Sequence, residues 1–549
     1  MSSEESTPDT REPEPAPSEP SLEQLALPLD EFLSRGAGPG IARAQRVFCN
    51  RDLRMSQIAW AGFDMDYTLA IYDQPEMDRL SIEATIKKLI GRGYPDFIAE
   101  VPHALHFPVR GLLIDKRYGH ILKMDRYKHV CKGFHGFREL SKDEIRALYH
   151  SKKIRPATPR YHWIDTLYAL SEASLYAALV DALEKRGHAI DFARAFMDIR
   201  ECIDEAHRDG TILDAVASDL PRFVKRDDEL APTLHKLRSA GKKLFLLTNS
   251  RWSYTDRMMN YLLGGAMSEY PSWRNFFDVV VVAATKPAFF QERRPLLEID
   301  GVASRPATFP LERGKVYQGG NLPDFERALG VSGDQVLYVG DHIYGDILRS
   351  KKDSAWRTVM IMQELATEIS AYESCREDSE RIQELEDQRE RLEDELRFYQ
   401  GRFKEVSRAI GGRSSSLADA PSVTNLDALR DRPSDSSLRV ANGKSASTPL
   451  VELEAERLRA KRAVDQVRGR LRQVDAEIEI RARRVDARFH NFWGSLLKEG
   501  NEQSSFGAQV EEYACLYTSR VSNLLAYSPQ QHYRSPRDVM AHEIEPGEG

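Results

Sequence analysis

The sequence has little cysteine, no long apolar run and no excess of positive charge. Its five cysteines are scattered, with no CxxC pair, which argues against a disulfide framework and is typical of reduced thiols in the cytoplasm, where we expect the protein. A net charge of −7 offers no electrostatic footprint for nucleic acid. Because no apolar run approaches the roughly 18 residues of a membrane span, and the amino terminus lacks a signal-peptide pattern, we expect no membrane partner.

Two aspartates follow directly after a short apolar run. Ile58–Phe63 is predicted to be a buried strand, and DMDYT occupies residues 64–68. At the carboxyl end of a strand, both carboxylates can point into the crevice where open α/β sheets bind ligands. Carboxylate oxygens suit Mg²⁺, and an aspartate can also act as a nucleophile that forms an aspartyl phosphate. The pattern indicates phosphoryl transfer through Asp64, although for these residues alone a turn with two solvated aspartates is an alternative.

Further polar motifs follow three more apolar runs in a fixed order. They are Thr248, Asn249 and Ser250 after Lys243–Leu247, Lys286 after Val279–Ala284, and Asp341 and Asp346 after Gln335–Val339. Hydroxyl and backbone N–H groups can hold phosphate oxygens, a lysine can neutralise them, and carboxylates can complete a metal site. Each motif alone could be a helix N-cap, a solvated lysine or a turn. By chance, all four motifs in this order, each after a predicted strand, would occur together far less often than any one of them alone.

This order resembles the haloacid dehalogenase (HAD) superfamily of phosphatases and, more closely, the cytosolic purine 5′-nucleotidase family that prefers IMP and GMP. The resemblance is carried by GFDMDYTLAIYD, RGLLIDKRYGHILKMD, LLTNSRWSYTDRMM, KPAFF and LYVGDHIYGDILRSKK. It covers about residues 46–365 and resumes near 506–543. It implies Mg²⁺-dependent hydrolysis of purine nucleoside 5′-monophosphates through an aspartyl phosphate, with transfer of the phosphoryl group to acceptor nucleosides as a second activity.

The resemblance also assigns roles to individual residues. Asp64 is the expected nucleophile, and Asp66 is the expected general acid and base. The Mg²⁺ ligands are expected to be Asp64, Asp341 and the backbone carbonyl of Asp66, with Asp346 nearby. The groups expected to hold the phosphate are Thr248, Asn249, Ser250 and Lys286.

The long segment between the first two motifs far exceeds the dozen or so residues that a crossover needs, so it is predicted to be a cap over the crevice. In it, Arg200, Asp204 and His207 are spaced i, i+4 and i+7 and share one helix face. The resemblance implies that these side chains contact the purine ring. An exposed Arg200–Asp204 ion pair is the alternative.

The segment CKGFHGF, residues 131–137, aligns loosely with a GFNF segment of the family. By the resemblance, Phe134 supplies an aromatic surface for stacking on the base, and His135 stands in the place of an asparagine. The alternative for Phe134 is a core position, which is the usual place of a phenylalanine.

Heptads of apolar residues predict two long helices in the C-terminal half. They run from about Ser379 to Ile410 and from about Val451 to Phe489. We interpret them as an antiparallel coiled-coil hairpin with a disordered tip, and two independent solvated helices are the alternative. The arm offers a surface for self-association, so a homo-oligomer is expected. Phe506–Tyr527 is predicted to be a helix that packs back on the core.

The predicted fold is α/β, with a HAD-like doubly wound (Rossmann-like) core, an inserted helical cap and a C-terminal antiparallel coiled-coil arm. Two alternative functions stay open: a HAD phosphatase for a different phosphomonoester, and a coiled-coil scaffold with an incidental core. The predicted domains are a disordered tail (1–41), core (42–110), cap (111–230), core (231–370), coiled-coil helix (371–410), disordered linker (411–449), second coiled-coil helix (450–490) and C-terminal helical segment on the core (491–549).

Overall fold

The computed structural model describes residues 40–102, 104–149, 154–300, 303–418 and 450–536. Most of the tail and linker predicted to be disordered lies outside these residues. The described strands are β1 (Phe48–Cys49), β2 (Leu53–Arg54), β3 (Trp60–Phe63), β4 (Ile71–Tyr72), β5 (Leu112–Asp115), β6 (His120–Met124), β7 (Val130–His135), β8 (Arg138–Glu139), β9 (Tyr161–Ile164), β10 (Val224–Lys225), β11 (Lys243–Leu247), β12 (Val279–Val282), β13 (Leu296–Asp300), β14 (Ala303–Pro306), β15 (Val316–Gly319), β16 (Val336–Gly340), β17 (Arg357–Ile361), β18 (Lys498–Glu499), β19 (Glu502–Gln503), β20 (Leu516–Thr518) and β21 (His532–Tyr533).

None of the helices in these described ranges is long and apolar enough to span a bilayer. They are α1 (Gln74–Gly91), α2 (Lys142–Tyr149), α3 (Ala169–Lys185), α4 (Phe192–Arg208), α5 (Thr211–Ser218), α6 (Leu220–Phe223), α7 (Leu230–Ser239), α8 (Trp252–Leu263), α9 (Ala288–Gln291), α10 (Leu322–Leu329), α11 (Arg349–Asp353), α12 (Leu365–Ser374), α13 (Arg376–Ala418), α14 (Leu450–Phe489) and α15 (Ser505–Tyr513).

A ten-stranded sheet in the order β1-β20-β17-β16-β3-β11-β12-β15-β13-β14 forms the centre of the molecule. All neighbours from β20 to β15 run parallel. The chain leaves β3 through β11, β12 and β15 on one side and returns through β16 and β17 on the other. The strand order therefore reverses at β3, which is where open α/β sheets place their ligand sites. The four strands predicted from the apolar runs are all present, with small shifts at their ends.

Both faces of the central strands are buried. Along β11, Leu244 and Leu246 belong to one core cluster, whereas Phe245 and Leu247 belong to a second cluster on the opposite face. A parallel sheet that is covered on both sides is the expected result of doubly wound connections. Gly62 of β3 permits this packing, because a Cβ at that position would lie 2.0 Å from Cζ of Phe245.

The segment inserted between β3 and β11 is not purely helical. It contains helices α1 to α6 and also a five-stranded antiparallel sheet in the order β8-β7-β6-β5-β9. The predicted helical cap is therefore wrong in its secondary structure. The strands β5 and β6 are short and fully buried, so they show no polar–apolar alternation, and a short apolar run of this kind does not distinguish a strand from a buried helix.

A two-stranded ribbon connects the insertion to the core. β4 lies before the insertion's helices and β10 lies after them, and the two pair antiparallel with Tyr72 opposite Val224. The hydroxyl group of Tyr261 on α8 donates to the backbone oxygen of Val224 at 3.2 Å. The insertion thus leaves and rejoins the core at one place close to the end of β3.

The two long helices α13 and α14 pack against each other in opposite directions. Ion pairs join Asp378 to Arg481, Glu395 to Arg470 and Arg402 to Glu456. The seam between them contains Leu385, Leu392, Val467 and Val474, all buried. These side chains are among those that the heptads place on the apolar stripes. Helix α13 continues to Ala418, beyond the predicted end of the first helix, and supercoiling of the pair stays a prediction.

The chain after the arm returns to the core as a helix and then a strand. Helix α15 ends at Tyr513, and β20 extends the parallel sheet beside β17, with Leu516 opposite Val359. The prediction of one helix over Phe506–Tyr527 is therefore wrong beyond Tyr513. Pairing with the exposed edge of β17 satisfies backbone groups that a longer helix would leave unpaired on the sheet.

Candidate active site

The carboxylate of Asp64 lies at the carboxyl end of β3, in contact with the lysine of the third motif. The ammonium Nζ of Lys286 is 3.0 Å from Asp64 Oδ1 and 2.7 Å from Asp346 Oδ1. The backbone N–H of Met65 also donates to Asp64 Oδ1, at 2.8 Å. Asp64 is therefore oriented by two donors. Lys286 is buried, and its third contact is the hydroxyl group of Tyr338 at 2.7 Å.

Three carboxylates form a cluster that suits a metal ion. Asp64, Asp341 and Asp346 are buried, and each offers one oxygen within 4.8 Å of the others. Asp346 lies in a π-helical turn over Ile343–Leu348, and Gly340 allows it to approach, because a Cβ at Gly340 would lie 2.6 Å from Asp346 Cβ. Hard oxygen donors in this number fit Mg²⁺, which usually takes few protein carboxylates and leaves positions for phosphate and water.

The electrostatics of the cluster favour a bound cation. Burial, followed by the charges of its acidic neighbours, raises the pKa of Asp64 well above its ordinary value, although Lys286 opposes the shift. Burial and Asp346 raise the pKa of Asp341 to about 7. Burial alone would lower the pKa of Lys286, but Asp346 and Asp64 raise it. A divalent cation would relieve the repulsion among the buried carboxylates.

Asp66 is held by hydroxyl groups on both of its oxygens. Tyr72 donates to Oδ1 at 2.6 Å, and Ser250 donates to Oδ2 at 2.6 Å. Burial raises the pKa of Asp66, and these two hydrogen bonds oppose that shift. The next residue, Tyr67, has a φ of 56°, an uncommon left-handed conformation for a non-glycine residue.

Thr248, Asn249 and Ser250, which were expected to hold the phosphate, contact other residues of the site instead. Ser250 contacts Asp66, so the structure places its hydroxyl group on the expected acid and base. The side chain of Asn249 is bound to the backbone of Lys286, donating to its oxygen at 2.9 Å and accepting from its N–H at 2.5 Å. Thr248 is fully buried and accepts from the N–H of Ser250 at 3.1 Å. The three residues thus hold Asp66 and Lys286 in position.

The crevice that these side chains share is small. It is lined by Asp64, Asp66, Thr166, Tyr168, Asn249, Lys286, Asp341, His342, Gly345 and Asp346, and its volume is about 130 Å³. This volume accommodates a phosphate group, whereas pockets for whole drug-sized ligands run from about 300 Å³ upward.

Tyr168 brings the insertion to the crevice, and the sequence analysis missed it. Its ring packs edge-on against the ring of Tyr67, with centroids 4.7 Å apart, and against His207, with centroids 5.6 Å apart. Asp165, three residues earlier, accepts from His342 at 3.3 Å, which joins the insertion to the residue after Asp341. No local pattern distinguishes Tyr168 from the other tyrosines, since its place depends on tertiary contacts.

The predicted base-binding triad lies on α4, as expected. Within the described part of the chain, His207 is its one member that contacts a residue lining the crevice, Tyr168. Arg200 contacts His162 at 3.0 Å, and its Nε is 3.7 Å from Glu172 of α3. Asp204 is exposed and has no side-chain ion pair with Arg200 among the described residues. Glu172 is buried, and its burial raises its pKa to about 7. Sequence reasoning missed this second carboxyl group beside the triad.

Phe134 and His135 are not at the crevice. The Phe134 side chain is 3% exposed and lies in an aromatic cluster, with its ring centroid 4.7 Å from Trp493 and 5.4 Å from Phe107. His135 contacts Glu184 at 2.9 Å. The expectation that Phe134 stacks on the base is therefore wrong, and the core alternative holds. Tyr168 is an aromatic residue that does line the crevice, together with Asp64 and Asp66.

Several known proteins are similar to this sequence. Residues 47–545 match the 5′ nucleotidase family. A 5′-nucleotidase domain-containing protein from Dictyostelium discoideum is 26% identical over 511 residues, covering 91% of this chain and 75% of that protein. The 5′-nucleotidase domain-containing protein 2 of Homo sapiens is 32% identical over 342 residues, covering 59% of this chain and 64% of its own length. The Rattus norvegicus protein of that name is 32% identical over 340 residues, covering 59% of this chain and 60% of its own length.

Among solved structures, CbbY from Rhodobacter sphaeroides in complex with phosphate covers 55% of this chain and 86% of its own at 14% identity, with a TM-score of 0.23, which is too low to define a shared fold. The order of the four motifs around β3 resembles that of HAD-type hydrolases. The chain belongs to the 5′ nucleotidase family, whose match extends over residues 47–545. This match confirms the resemblance to 5′-nucleotidases and the prediction of a 5′-nucleotidase-type enzyme, without its base preference.

Proposed function

We propose that the protein is a Mg²⁺-dependent 5′-nucleotidase that hydrolyses purine nucleoside 5′-monophosphates, with IMP and GMP preferred, through a phosphoryl group on Asp64. The observation that carries the proposal is the position of Asp64 between Lys286 and the carboxylates of Asp341 and Asp346. A nucleophile beside a buried cation and a divalent-ion site is the arrangement that phosphoryl transfer requires, because a bare carboxylate repels a phosphate dianion.

In the first step, an oxygen of Asp64 forms a bond to phosphorus, and the bond between phosphorus and the 5′-oxygen breaks. The departing alkoxide takes a proton from the carboxyl group of Asp66, which lies two residues away and is already oriented by Tyr72 and Ser250. Lys286 stays in place near the nucleophile and compensates negative charge on the phosphoryl oxygens. General acid assistance of this kind contributes about 10²- to 10⁴-fold.

In the second step, water attacks phosphorus and gives a proton to the carboxylate of Asp66. The bond between phosphorus and Asp64 breaks, which releases inorganic phosphate and restores both aspartates. When bound, Mg²⁺ would supply the positive charge that Asp64, Asp341 and Asp346 need beside a phosphate dianion. Dividing the hydrolysis into two displacements replaces one high barrier by two lower ones.

Base recognition is proposed for the side of the crevice formed by the insertion. Tyr168 offers an aromatic ring next to Asp64 and Asp66, and His207 packs on its edge. Asp204 can accept from the ring N–H of hypoxanthine or guanine, and Arg200 can donate to the exocyclic oxygen. Adenine presents the opposite pattern of donors and acceptors at these positions. Because Asp204 is exposed, the proposal includes a shift of α4 toward the base on binding.

Two further parts of the proposal concern acceptors and assembly. Before it is hydrolysed, the phosphoryl-aspartate can also react with a nucleoside hydroxyl group. Transfer to acceptor nucleosides is therefore proposed as a second activity. Self-association through α13 and α14 is proposed from their projecting, charged surfaces. A cytoplasmic location agrees with the five scattered cysteines, which include no CxxC pair.

The test is a phosphate-release screen on the full-length protein with IMP, GMP, AMP, sugar phosphates and lipid phosphates, with Mg²⁺ or with EDTA. The proposal expects IMP and GMP to be hydrolysed fastest and activity to disappear with EDTA and return with Mg²⁺. Faster hydrolysis of a sugar or lipid phosphate would replace the proposed substrate class. No phosphate release from any substrate would favour the scaffold alternative.

A further inference from the structure

The carboxyl group of Asp66 is fixed from two different elements of the fold. Ser250, at the end of β11, donates to Oδ2, and Tyr72, on β4, donates to Oδ1. Tyr72 is 2% exposed, and its hydroxyl group has a second partner, the hydroxyl group of Tyr254 on α8 at 2.8 Å. The two tyrosines thus form a pair of adjoining hydroxyl groups, one of which contacts the expected acid and base.

The position of Tyr72 is determined by its backbone. It pairs with Val224 in the ribbon that joins the insertion to the core, and its ring lies 4.8 Å from the ring of Tyr67. A side chain held by strand pairing on one side and by aromatic packing on the other has little rotational freedom. Its hydroxyl group is therefore held in one place and restricts rotation of the Asp66 carboxyl group, to which it donates.

We propose that Tyr72, supported by Tyr254, is a positioning residue that holds the carboxyl group of Asp66 in the orientation needed to protonate the departing 5′-oxygen. The inference rests on the proposed function, since it assigns Asp66 the role of general acid. Tyr254 supports Tyr72 because a hydroxyl group engaged with a second hydroxyl group cannot rotate away without losing a buried hydrogen bond, which is costly.

A positioning role differs from a structural role in its dependence on the leaving group. A nucleoside 5′-oxygen is a poor leaving group that needs a proton, whereas p-nitrophenolate leaves without one. Misplacement of Asp66 should therefore slow formation of the phosphoryl-enzyme from IMP and spare its formation from p-nitrophenyl phosphate. General damage to the site would slow both reactions equally.

The experiment measures the first turnover by rapid quench with Mg²⁺ and full-length protein. For Tyr72→Phe we expect the first-turnover formation of inosine from IMP to fall about 10- to 150-fold, the range for loss of one hydrogen bond to a charged group. The burst of p-nitrophenolate should change by less than about 2-fold. Tyr254→Phe should show the same selective loss with a smaller amplitude, and it decides the question should Tyr72→Phe not fold.

The matched control is Tyr261→Phe. Its hydroxyl group donates to the backbone of Val224 on the same ribbon but does not contact Asp66. The inference expects no change in the ratio of the two rates for this variant. It is overturned by equal losses on both substrates in Tyr72→Phe, by no loss at all, or by the same selective loss in Tyr261→Phe. Full activity of Asp66→Asn would instead overturn the proposed function itself.

Discussion

Lys286 Nζ lies 3.0 Å from Asp64 Oδ1, so the cation of the third motif contacts the carboxylate of the first. The strands that carry them are not neighbours, because β11 lies between β3 and β12. Asn249, at the end of β11, forms hydrogen bonds to the backbone of Lys286 through both its side-chain oxygen and its side-chain nitrogen. These bonds fix the position of Lys286 relative to β11, the strand between those of Asp64 and Lys286.

Replacing Lys286 by methionine should lower kcat/KM for IMP by about 100- to 1000-fold, the range for loss of one electrostatic stabilising group. The variant keeps the length of the side chain and removes the charge that separates Asp64 from Asp346. The measurement is kcat/KM on folded protein, verified by circular dichroism. Lys242→Met is the matched control, since Lys242 is also buried but donates only to the backbone oxygens of Met55 and Ile58. Comparable activity losses in both variants would contradict a specific role for Lys286.

Asp204→Ala should reduce kcat/KM for IMP and GMP by about 10- to 150-fold, as expected for loss of a hydrogen bond to a charged group. Hydrolysis of p-nitrophenyl phosphate, which lacks a purine, should be nearly unchanged. The control is Glu201→Ala on the same helix, because Glu201 pairs with Arg92 and is not a member of the triad. Equal losses on the nucleotides and on p-nitrophenyl phosphate would mean that Asp204 is structural.

Glu172→Gln should raise the free energy of unfolding at pH 8 and change it little near pH 5. Burial raises the pKa of Glu172 from 4.5 to about 7, so the folded state holds the proton more tightly than the unfolded state does. The contribution of Glu172 to the free energy of unfolding is highest below pH 4.5, where Glu172 is protonated in both states. It falls by up to about 3 kcal/mol as the pH rises to 7 and above, because the ionised carboxylate is disfavoured in the folded state. Glutamine cannot ionise and avoids the loss.

The measurement for Glu172→Gln is the difference in melting temperature from the wild type at the two pH values, without substrate. The control is Glu201→Gln, which changes an exposed carboxylate on α4. A difference of equal size at pH 5 and pH 8 would show that the buried carboxyl group does not titrate as its surroundings indicate.

Replacing residues 390–470 by a short Gly/Ser linker should leave an active enzyme. The cut keeps the base of the arm, including the ion pair of Asp378 with Arg481, and removes no residue of the crevice. We expect kcat/KM for IMP within about 3-fold of the wild type, since distant, independent sites contribute nearly additively. Light scattering should show a smaller assembly. A folded truncation of unchanged assembly size but without activity would show that the arm shapes the crevice.

The sequence predicts the catalytic half of the molecule well because its signals are local. Each of the motifs of Asp64, Thr248, Lys286 and Asp341 follows an apolar run that forms a strand, and the carboxyl ends of parallel strands meet at one edge. The insertion is less predictable. The buried strands around Leu113 and Ile121 show no alternation, and the roles of Phe134 and Tyr168 depend on which face of the insertion meets the core.

The most direct test of the account is to trap the phosphoryl-enzyme. Full-length protein is mixed with Mg²⁺ and 5′-³²P-labelled IMP, quenched with acid within one turnover and mapped by peptide mass spectrometry. The account predicts label on the peptide that contains Asp64 and none in a folded Asp64→Asn variant. Label on another residue, or full IMP hydrolysis by folded Asp64→Asn, would contradict it.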